Sequence, residues 1–405
     1  MPVTTKKPVA WGQESCDRYD DPVSGARIIQ LTSAAAISNN IYGEQPYCSP
    51  DGKRLVIARC QDFCFDLEGS LLVHELPTLK ITMVVRKMVG VRGVFNNAWS
   101  GLAYYWTPER RLMRLSMMTL EQEEVYKEEN PEAPLVGSSV SPDQRYVIGM
   151  APRLTGPDAP IFQIIRLDIT TGERKVILEH PEICNPHLQF NPITGKQILV
   201  QNNRGVRMNP DGSLDYRHSA QGTTLFVIDS DGDNLQYVPV APPITASSTG
   251  HECFVAATGK VLTSVGWVAH NDHHWTHDSR HPMGNIMVAR PGDDKPAVFA
   301  MPEFITNHVC VSRCGTYFVA DACRGGIFKA GLLQPFALVV GNLETGKYRV
   351  LVDDTLCSGG GNQCTHTHQY FTADNRHVIY NSDLYTGIPQ VYAARLPEGF
   401  LASLA

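Results

Sequence analysis

Short apolar segments separated by polar turns recur along the whole chain. Seven times, two apolar segments flank a turn that carries Pro, Asp, Asn or Gly, the residues that supply hairpin backbone angles. These hairpins are YCSPDGKRLVIA (47–58), VFNNAWSGLAYYW (94–106), SVSPDQRYVIGM (139–150), QFNPITGKQILV (189–200), CFVAATGKVLTSV (253–265), VCVSRCGTYFVA (309–320) and YFTADNRHVIYN (370–381). The recurrence predicts a repeat architecture with seven units.

A further pair of apolar segments follows each hairpin, as in IIRLDITTGERKVIL (164–178) and ALVVGNLETGKYRVLV (337–352). Four short strands per unit, at a spacing of roughly 45–65 residues, are typical of β-propeller blades. We therefore predict that residues 1–405 form a single all-β domain, a seven-bladed β-propeller. Two stacked β-sandwiches are the alternative, and the count of seven disfavours them. The segments QESCDRYDD and TLEQEEVYKEEN are the best candidates for short helices.

The seventh unit is incomplete, because the chain reaches QVYAARLPEGF without room for an outermost strand. The segment GARIIQLTS (25–33) precedes the first hairpin and has the pattern of such a strand. We predict that this N-terminal strand completes the last blade and closes the ring. Closure in this way leaves fewer exposed sheet edges.

Composition narrows the possible partners. The formal net charge is −6, which disfavours a nucleic-acid partner held by phosphate contacts but leaves a small anionic substrate possible. No apolar stretch approaches the roughly 18 residues needed to span a bilayer. The 11 cysteines are scattered without the spacing of a disulfide framework or a zinc site. We expect a cytoplasmic protein with no membrane partner.

Histidines recur at one position of the repeat. In four successive units a His stands three residues before a core apolar position, whereas Gln or Gly occupies the equivalent place in two earlier units. The histidines are His187, His251, His308 and His368, and the other two residues are Gln45 and Gly137. Equivalent residues of successive blades surround a common axis, so these side chains should converge. A lone His is more often a hydrogen-bonded core residue, but four in register favour a shared polar site.

The last unit adds the segment Gln363-Cys-Thr-His366-Thr-His368. In an extended segment residues i and i+2 point the same way, so the last two histidines can bind one ion together. Imidazole suits several divalent transition metals, and the Gln oxygen adds a harder ligand. The pattern, in register with His308, predicts a divalent-metal site. A separate His-rich stretch, 270–281, is either a solvated loop or a wall over the channel mouth.

At these residues the sequence resembles the oligogalacturonate lyases, polysaccharide lyase family 22. The resemblance rests on QCTHTHQYFTADNRHVIYNSDLYTGIPQVYAARLP, TGHECFV and TNHVCVS, and it extends diffusely over the chain. It implies a cytoplasmic seven-bladed propeller that cleaves short pectin fragments by β-elimination with a divalent metal, usually manganese. Carried over residue by residue, it implies a catalytic base at His251 and the metal ligands His308, Gln363, His366 and His368.

Two positions depart from the family. Thr224 stands where the family carries a catalytic-site arginine, and Asn39 stands where it has an N-terminal histidine. Arg204 and Arg207 are the candidates for supplying the missing charge to the substrate, with His187 as a further substrate-binding candidate. The substrate is therefore open between oligogalacturonate and another uronide.

The residues and the resemblance together favour a metal-dependent lyase that converts a uronide oligosaccharide to a 4,5-unsaturated product. A metal on the uronate carboxylate would stabilise the enolate-like transition state, and a neutral His would accept the C5 proton. The alternative is a non-catalytic binding or scaffold propeller with a structural ion, which the loss of the arginine favours. A metal-dependent hydrolase or epimerase on the same frame is a third option that no residue specifically supports.

Overall fold

Seven antiparallel sheets follow one another around a ring, and the innermost strands of several successive sheets contact each other. A computed structural model describes residues 9–62, 67–90, 93–129, 135–217, 219–269, 275–277, 283–324, 334–357 and 366–405. The hairpin repeat accounts for this arrangement, because each hairpin supplies the two inner strands of one sheet. The predicted seven-bladed propeller is confirmed.

The strands of the first blades follow the repeat order. Before them come β1 (Cys16–Asp20) and β2 (Arg27–Gln30). The first blade contains β3 (Ile37–Asn39), β4 (Arg54–Cys60), β5 (Gly69–Glu75) and β6 (Lys80–Met88). The second contains β7 (Val94–Phe95), β8 (Leu102–Trp106), β9 (Arg111–Ser116) and β10 (Gln122–Lys127). The third contains β11 (Val136–Val140), β12 (Tyr146–Arg153), β13 (Ile161–Asp168) and β14 (Arg174–His180).

The remaining blades keep this order. The fourth contains β15 (Gln189–Phe190), β16 (Gln197–Asn203), β17 (Thr223–Asp229) and β18 (Gln236–Val238). The fifth contains β19 (Ser247–Phe254), β20 (Val261–Ala269), β21 (Trp275–His277), β22 (Ile286–Ala289) and β23 (Ala297–Phe299). The sixth contains β24 (Phe304–Val311), β25 (Tyr317–Arg324), β26 (Gln334–Asn342) and β27 (Tyr348–Cys357). The last contains β28 (Tyr370–Phe371), β29 (His377–Ser382) and β30 (Gln390–Arg395), and a 3-10 turn (Ala402–Leu404) follows.

The N-terminal segment closes the ring, as predicted. Strand β2 pairs antiparallel with β30, with Ile28 opposite Ala394 and Ile29 opposite Ala393. Strand β1 then pairs with β2 and makes the last blade five-stranded. The blade therefore joins both ends of the chain, and its two outermost strands depend on residues 16–30.

The expectation of short helices was wrong at both places. The segment QESCDRYDD contains β1, and TLEQEEVYKEEN contains β10. Both are outermost strands whose residues are mostly exposed or half-buried. An outermost strand has few apolar neighbours, so its charged composition resembles that of a solvated helix, and pairing with the next strand decides the structure. No helix in the described part of the chain is long and apolar enough to cross a membrane.

Apolar side chains on the faces of neighbouring blades pack together and form the core between them. One buried cluster joins Val56 and Val73 of the first blade to Ala103 and Leu115 of the second. Full burial of an aliphatic side chain of Val or Leu size stabilises the fold by about 1.5–3 kcal/mol. These clusters fix each blade against the next and so fix the inner strands around the axis.

Gly137 shows how tightly the inner strands pack. A Cβ atom on this residue would lie 2.3 Å from Cε1 of Phe95, a fully buried ring of the second blade. The equivalent position therefore carries no side chain in the third blade. The fourth to seventh blades have a His there instead, and their side chains form the site described next.

Candidate active site

Four blades direct a histidine to one end of the central channel, and the four imidazoles lie together. The ring centroids of His251 and His308 are 3.9 Å apart, and those of His308 and His368 are 4.9 Å apart. His187 completes the row at 6.1 Å from His251. The convergence predicted from the repeat register is therefore present.

Local backbone irregularities accompany all four histidines. His251 and His308 lie where the register of β19 with β20, and of β24 with β25, shifts by a bulge. His187 and His368 have left-handed backbones, with φ of 44° and 41°. Bulges redirect side chains next to active sites, and a left-handed residue other than Gly persists only where its surroundings hold it. The backbone irregularities thus occur at the position of the repeat that carries the four histidines.

His308, His366 and His368 form the first cluster. One nitrogen of each lies within 4.8 Å of the others. Nε2 of His308, Nδ1 of His366 and both nitrogens of His368 are buried without a hydrogen-bond partner among the described residues. An unsatisfied buried polar atom costs about 1–3 kcal/mol, and imidazole nitrogens are preferred ligands of divalent transition metals. These residues therefore fit a divalent metal ion. Gln363, the predicted fourth ligand, lies outside the described residues.

Asp321 on β25 orients His308 for this role. Its Oδ2 lies 2.6 Å from His308 Nδ1 and also accepts a hydrogen bond from the Thr367 hydroxyl at 2.7 Å. The Asp321 Oδ1 accepts the backbone N–H of His308 at 2.7 Å. A carboxylate on one ring nitrogen places the proton there and leaves the other nitrogen free for a metal. Burial lowers the pKa of His308 well below its usual range, which also favours the neutral ring.

Glu44, His187 and His251 form a second cluster beside the first. Glu44 lies between β3 and β4, and its Oε1 is 3.3 Å from His251 Nδ1. Its Oε2 is 3.5 Å from His187 Nδ1. The hydroxyl oxygen of Tyr42 lies 3.1 Å from His251 Nδ1 and 3.5 Å from His187 Nδ1. The first blade thus contributes a carboxylate and a phenol to histidines of the fourth and fifth blades.

The charges in this second cluster differ from residue to residue. Burial acts to raise the pKa of Glu44, but His187 and His251 outweigh it and lower the pKa below its usual range. Burial acts to lower the pKa of His187, but the charge of Glu44 outweighs it and raises the pKa to about 9. Burial, followed by the charge of His308, lowers the pKa of His251 well below its usual range. At neutral pH the cluster therefore holds a carboxylate, an imidazolium and a neutral imidazole.

A cavity of about 500 Å³ opens beside these histidines. Its lining includes Tyr42, Glu44, His187, His251 and Arg217. His251 also contacts His308, so it lies between the cavity and the first cluster. The volume suits a small ligand, and the lining combines the neutral imidazole of His251 with the cationic side chains of His187 and Arg217.

The structure does not place Arg204 and Arg207 at this cavity. The Arg204 guanidinium donates to the backbone carbonyls of Gly222 at 3.1 Å and Pro242 at 3.0 Å. Arg207 is largely exposed and pairs with Glu182 at 3.2 Å. Both side chains therefore hold the loop between β16 and β17 in place and do not line the cavity. Among the described lining residues, Arg217 of the same loop is the arginine that faces the cavity.

The two positions that depart from the family have structural roles here. Thr224 is buried in β17, and its hydroxyl donates to the Val240 carbonyl at 2.8 Å. Asn39 is buried in β3, and its side-chain oxygen accepts the backbone N–H of Ile41 at 2.6 Å. Ile41 opens the turn that carries Tyr42 and Glu44.

Within the His-rich stretch 270–281, the structure describes only the backbone of β21.

Sequence reasoning missed Glu44, Asp321 and Arg217. Glu44 directly precedes Gln45, the first-blade residue of the histidine register, and this adjacency was a usable signal. Asp321 interrupts the apolar run of β25, and a lone acidic residue in a buried strand is also a usable signal. Arg217 lies in an irregular loop, where no periodicity indicates a direction for the side chain.

Comparisons with known proteins agree with the fold and with the family resemblance noted in the sequence. No protein-family model matches the chain. An oligogalacturonate lyase of Dickeya dadantii is 24% identical over 412 residues, covering 94% of this chain and 96% of that protein. An oligogalacturonide lyase of Pectobacterium atrosepticum is also 24% identical, over 405 residues, with the same coverage.

Solved structures give the same result for the fold. An oligogalacturonate lyase in complex with manganese has a TM-score of 0.69 at 20% identity and covers 97% of this chain and 99% of that chain. The oligogalacturonate lyase of Vibrio parahaemolyticus has a TM-score of 0.68 at 20% identity and covers 97% and 100%. The resemblance noted in the sequence is thus confirmed over nearly the full length.

Proposed function

We propose that this chain is a metal-dependent lyase that cleaves oligogalacturonate, or a closely related uronide, by β-elimination. The observation that carries the proposal is the position of His251. This neutral imidazole lines a cavity and contacts a histidine cluster that fits a divalent metal. The similarity to oligogalacturonate lyases over 94% of the chain supports the same chemistry.

The reaction breaks a C–H and a C–O bond of the sugar. The base removes the C5 proton next to the uronate carboxylate, and the C5–H electron pair becomes the C4–C5 double bond. The glycosidic oxygen leaves C4 with the C4–O electron pair and takes up a proton from solvent. The C5 proton is weakly acidic unless the negative charge that builds up on the carboxylate is stabilised. His308, His366 and His368, with Gln363 as the predicted fourth ligand, would hold a metal ion, and the ion would supply that stabilisation, worth several kcal/mol. We propose manganese, in keeping with the manganese complex of the structural relative.

His251 is the proposed general base. Its low pKa keeps it neutral at cellular pH, so that a ring nitrogen can accept the C5 proton. A positioned base contributes about 10²–10⁴-fold to the rate. Since the first cluster provides three other histidines for the metal, His251 is free for this role.

Arg217 is the proposed binding residue for a uronate carboxylate, in place of the predicted Arg204 and Arg207. It is exposed and lines the cavity with His187 and His251. Arginine matches the two oxygens of a carboxylate with two parallel hydrogen bonds. The positive charge of His187 adds to the attraction for an anionic sugar.

We also propose a cytoplasmic location, as expected from the sequence. Buried cysteines such as Cys48, Cys253 and Cys310 carry free thiols, which suits a reducing compartment. The substrate would then be an oligosaccharide already small enough to enter the cell.

The test is incubation of the manganese-loaded protein with a panel of uronide oligosaccharides, followed by the ultraviolet absorbance of the 4,5-unsaturated product. We expect absorbance to rise with oligogalacturonate or a related uronide, and not with chelator-treated protein. A metal-containing protein that is inactive on the whole panel would instead support the alternative, a binding propeller with a structural ion. The buried Thr224 at the family's arginine position is the observation that keeps this alternative open.

A further inference from the structure

We infer that Glu44 is the positioning residue that orients the base His251, and that its effect on kcat is exerted through that histidine. The inference rests on the proposed function, because it concerns the same site. Glu44 comes from the first blade and reaches across the channel end to His251 and His187 of the fifth and fourth blades. Its side chain is only 5% exposed.

Glu44 is itself held by groups that take no part in the chemistry. Oε2 accepts a hydrogen bond from the side-chain amide of Gln189 at 2.9 Å. Oε1 lies 3.3 Å from the backbone N–H of Glu252, the residue next to His251. Each oxygen therefore has one fixed donor and one histidine. A carboxylate fixed in this way can determine the orientation of the rings that it contacts.

The contact determines which nitrogen of His251 carries the proton. A carboxylate can only accept hydrogen bonds, so a bare Nδ1 would bring its lone pair against the Glu44 oxygen 3.3 Å away. A protonated Nδ1 satisfies both Glu44 and the Tyr42 oxygen at 3.1 Å, since a phenol can accept. Nε2 is then the nitrogen with the free lone pair. Glu44 also stabilises the positive charge that His251 gains when it takes the C5 proton.

In both histidine clusters a carboxylate holds Nδ1 of a histidine, but the free Nε2 has a different role in each. Asp321 holds Nδ1 of His308 and leaves Nε2 to the metal, whereas Glu44 holds Nδ1 of His251 and leaves Nε2 to the substrate. A second cation on Glu44, His187 and His251 is the competing interpretation, because their ligand atoms also lie within 4.8 Å of one another. Nδ1 of both histidines has hydrogen-bond partners, unlike the unpartnered nitrogens of the first cluster. This difference favours positioning.

The experiment is a double-mutant cycle on the manganese-loaded protein with the best uronide substrate. Glu44→Gln, His251→Ala and the double variant are compared with the parent for kcat, KM and metal content. We expect Glu44→Gln to lower kcat by about 10–100-fold with a much smaller change in KM and no loss of metal. The double variant should be no slower than His251→Ala, because residues that act as a unit are not additive.

Two further variants make the result specific. Glu44→Asp keeps the charge and should retain more activity than Glu44→Gln, and it serves as the test variant if Glu44→Gln does not fold. Asp321→Asn, the matching change behind the metal ligand, should lose metal where the Glu44 variants do not.

Several results would overturn the inference. Parent kcat in Glu44→Gln, or effects of Glu44→Gln and His251→Ala that multiply in the double variant, would show that Glu44 does not act through His251. A metal content that falls from two ions per chain to one in Glu44→Gln would establish the second cation site instead. These outcomes leave the proposed function intact, whereas a parent that is inactive on every uronide would overturn both.

Discussion

Asp321→Asn should weaken metal binding without removing a metal ligand. In the parent, the Asp321 carboxylate holds Nδ1 of His308 at 2.6 Å, and both groups are buried. The variant keeps the shape of the side chain but exchanges a charged acceptor for a neutral amide. Loss of such an outer-shell partner costs about 10–100-fold in metal affinity. At about 1.4 kcal/mol per tenfold change, this is a loss of roughly 1.4–2.8 kcal/mol of binding free energy.

The assay is competition for manganese with a chelator of known affinity, with thermal unfolding as a check on the fold. His366→Ala, which removes a ligand outright, sets the lower limit of affinity. Asp374→Asn is the matched control, since Asp374 also accepts a threonine hydroxyl, from Thr372 at 2.7 Å, but lies in a hairpin turn. Parental affinity in Asp321→Asn, in a folded protein, would refute the reasoning that this carboxylate orients His308 for a metal.

Other parts of the account have separate tests. Arg217→Ala should raise KM for a uronide by about 10–100-fold, the equivalent of a lost charged hydrogen bond, with little change in kcat. Arg207→Ala, on the same loop, is the control and should leave KM unchanged. Equal KM values in the two variants would count against a carboxylate-binding role for Arg217. Deletion of residues 1–33 should cause aggregation, seen by light scattering, because β30 loses its partner β2; a monodisperse product of equal stability would contradict ring closure. Gly137→Ala should lower the free energy of unfolding by about 1–3 kcal/mol through overlap with Phe95, and an unchanged melting temperature would show that the blades can separate locally.

The sequence was sufficient for the architecture because the inner strands of a propeller are apolar and recur. Hairpins such as 47–58 and 370–381 carry buried residues at fixed places, so the repeat could be counted and the missing strand of the last blade recognised. The outermost strands β1 and β10 were missed because they have little to bury. Their structure is decided by pairing with a neighbour, which leaves a weak pattern in the sequence.

The site was predicted only where it shares the repeat. The four channel histidines occupy one register, and a register can be read along the chain. Glu44 and Asp321 contact these histidines from a different blade or a neighbouring strand, and Arg217 reaches the cavity from a loop. The proximity of Glu44 to His251 follows from the ring, which lets the first blade reach the fifth across the channel end, whereas Asp321 reaches His308 because β25 pairs with β24. The local sequence pattern does not indicate which residues far apart in the chain come into contact.

The most direct test of the central claim measures metal content and elimination rate together in the parent and in His251→Ala. The account predicts equal manganese content and thermal stability in the two proteins, with a rate about 10²–10⁴-fold lower in the variant. An active parent whose His251→Ala variant keeps both its metal and its full rate would contradict the assignment of His251 as the base. A variant that loses its metal would make His251 a ligand and contradict the division of the site into two clusters.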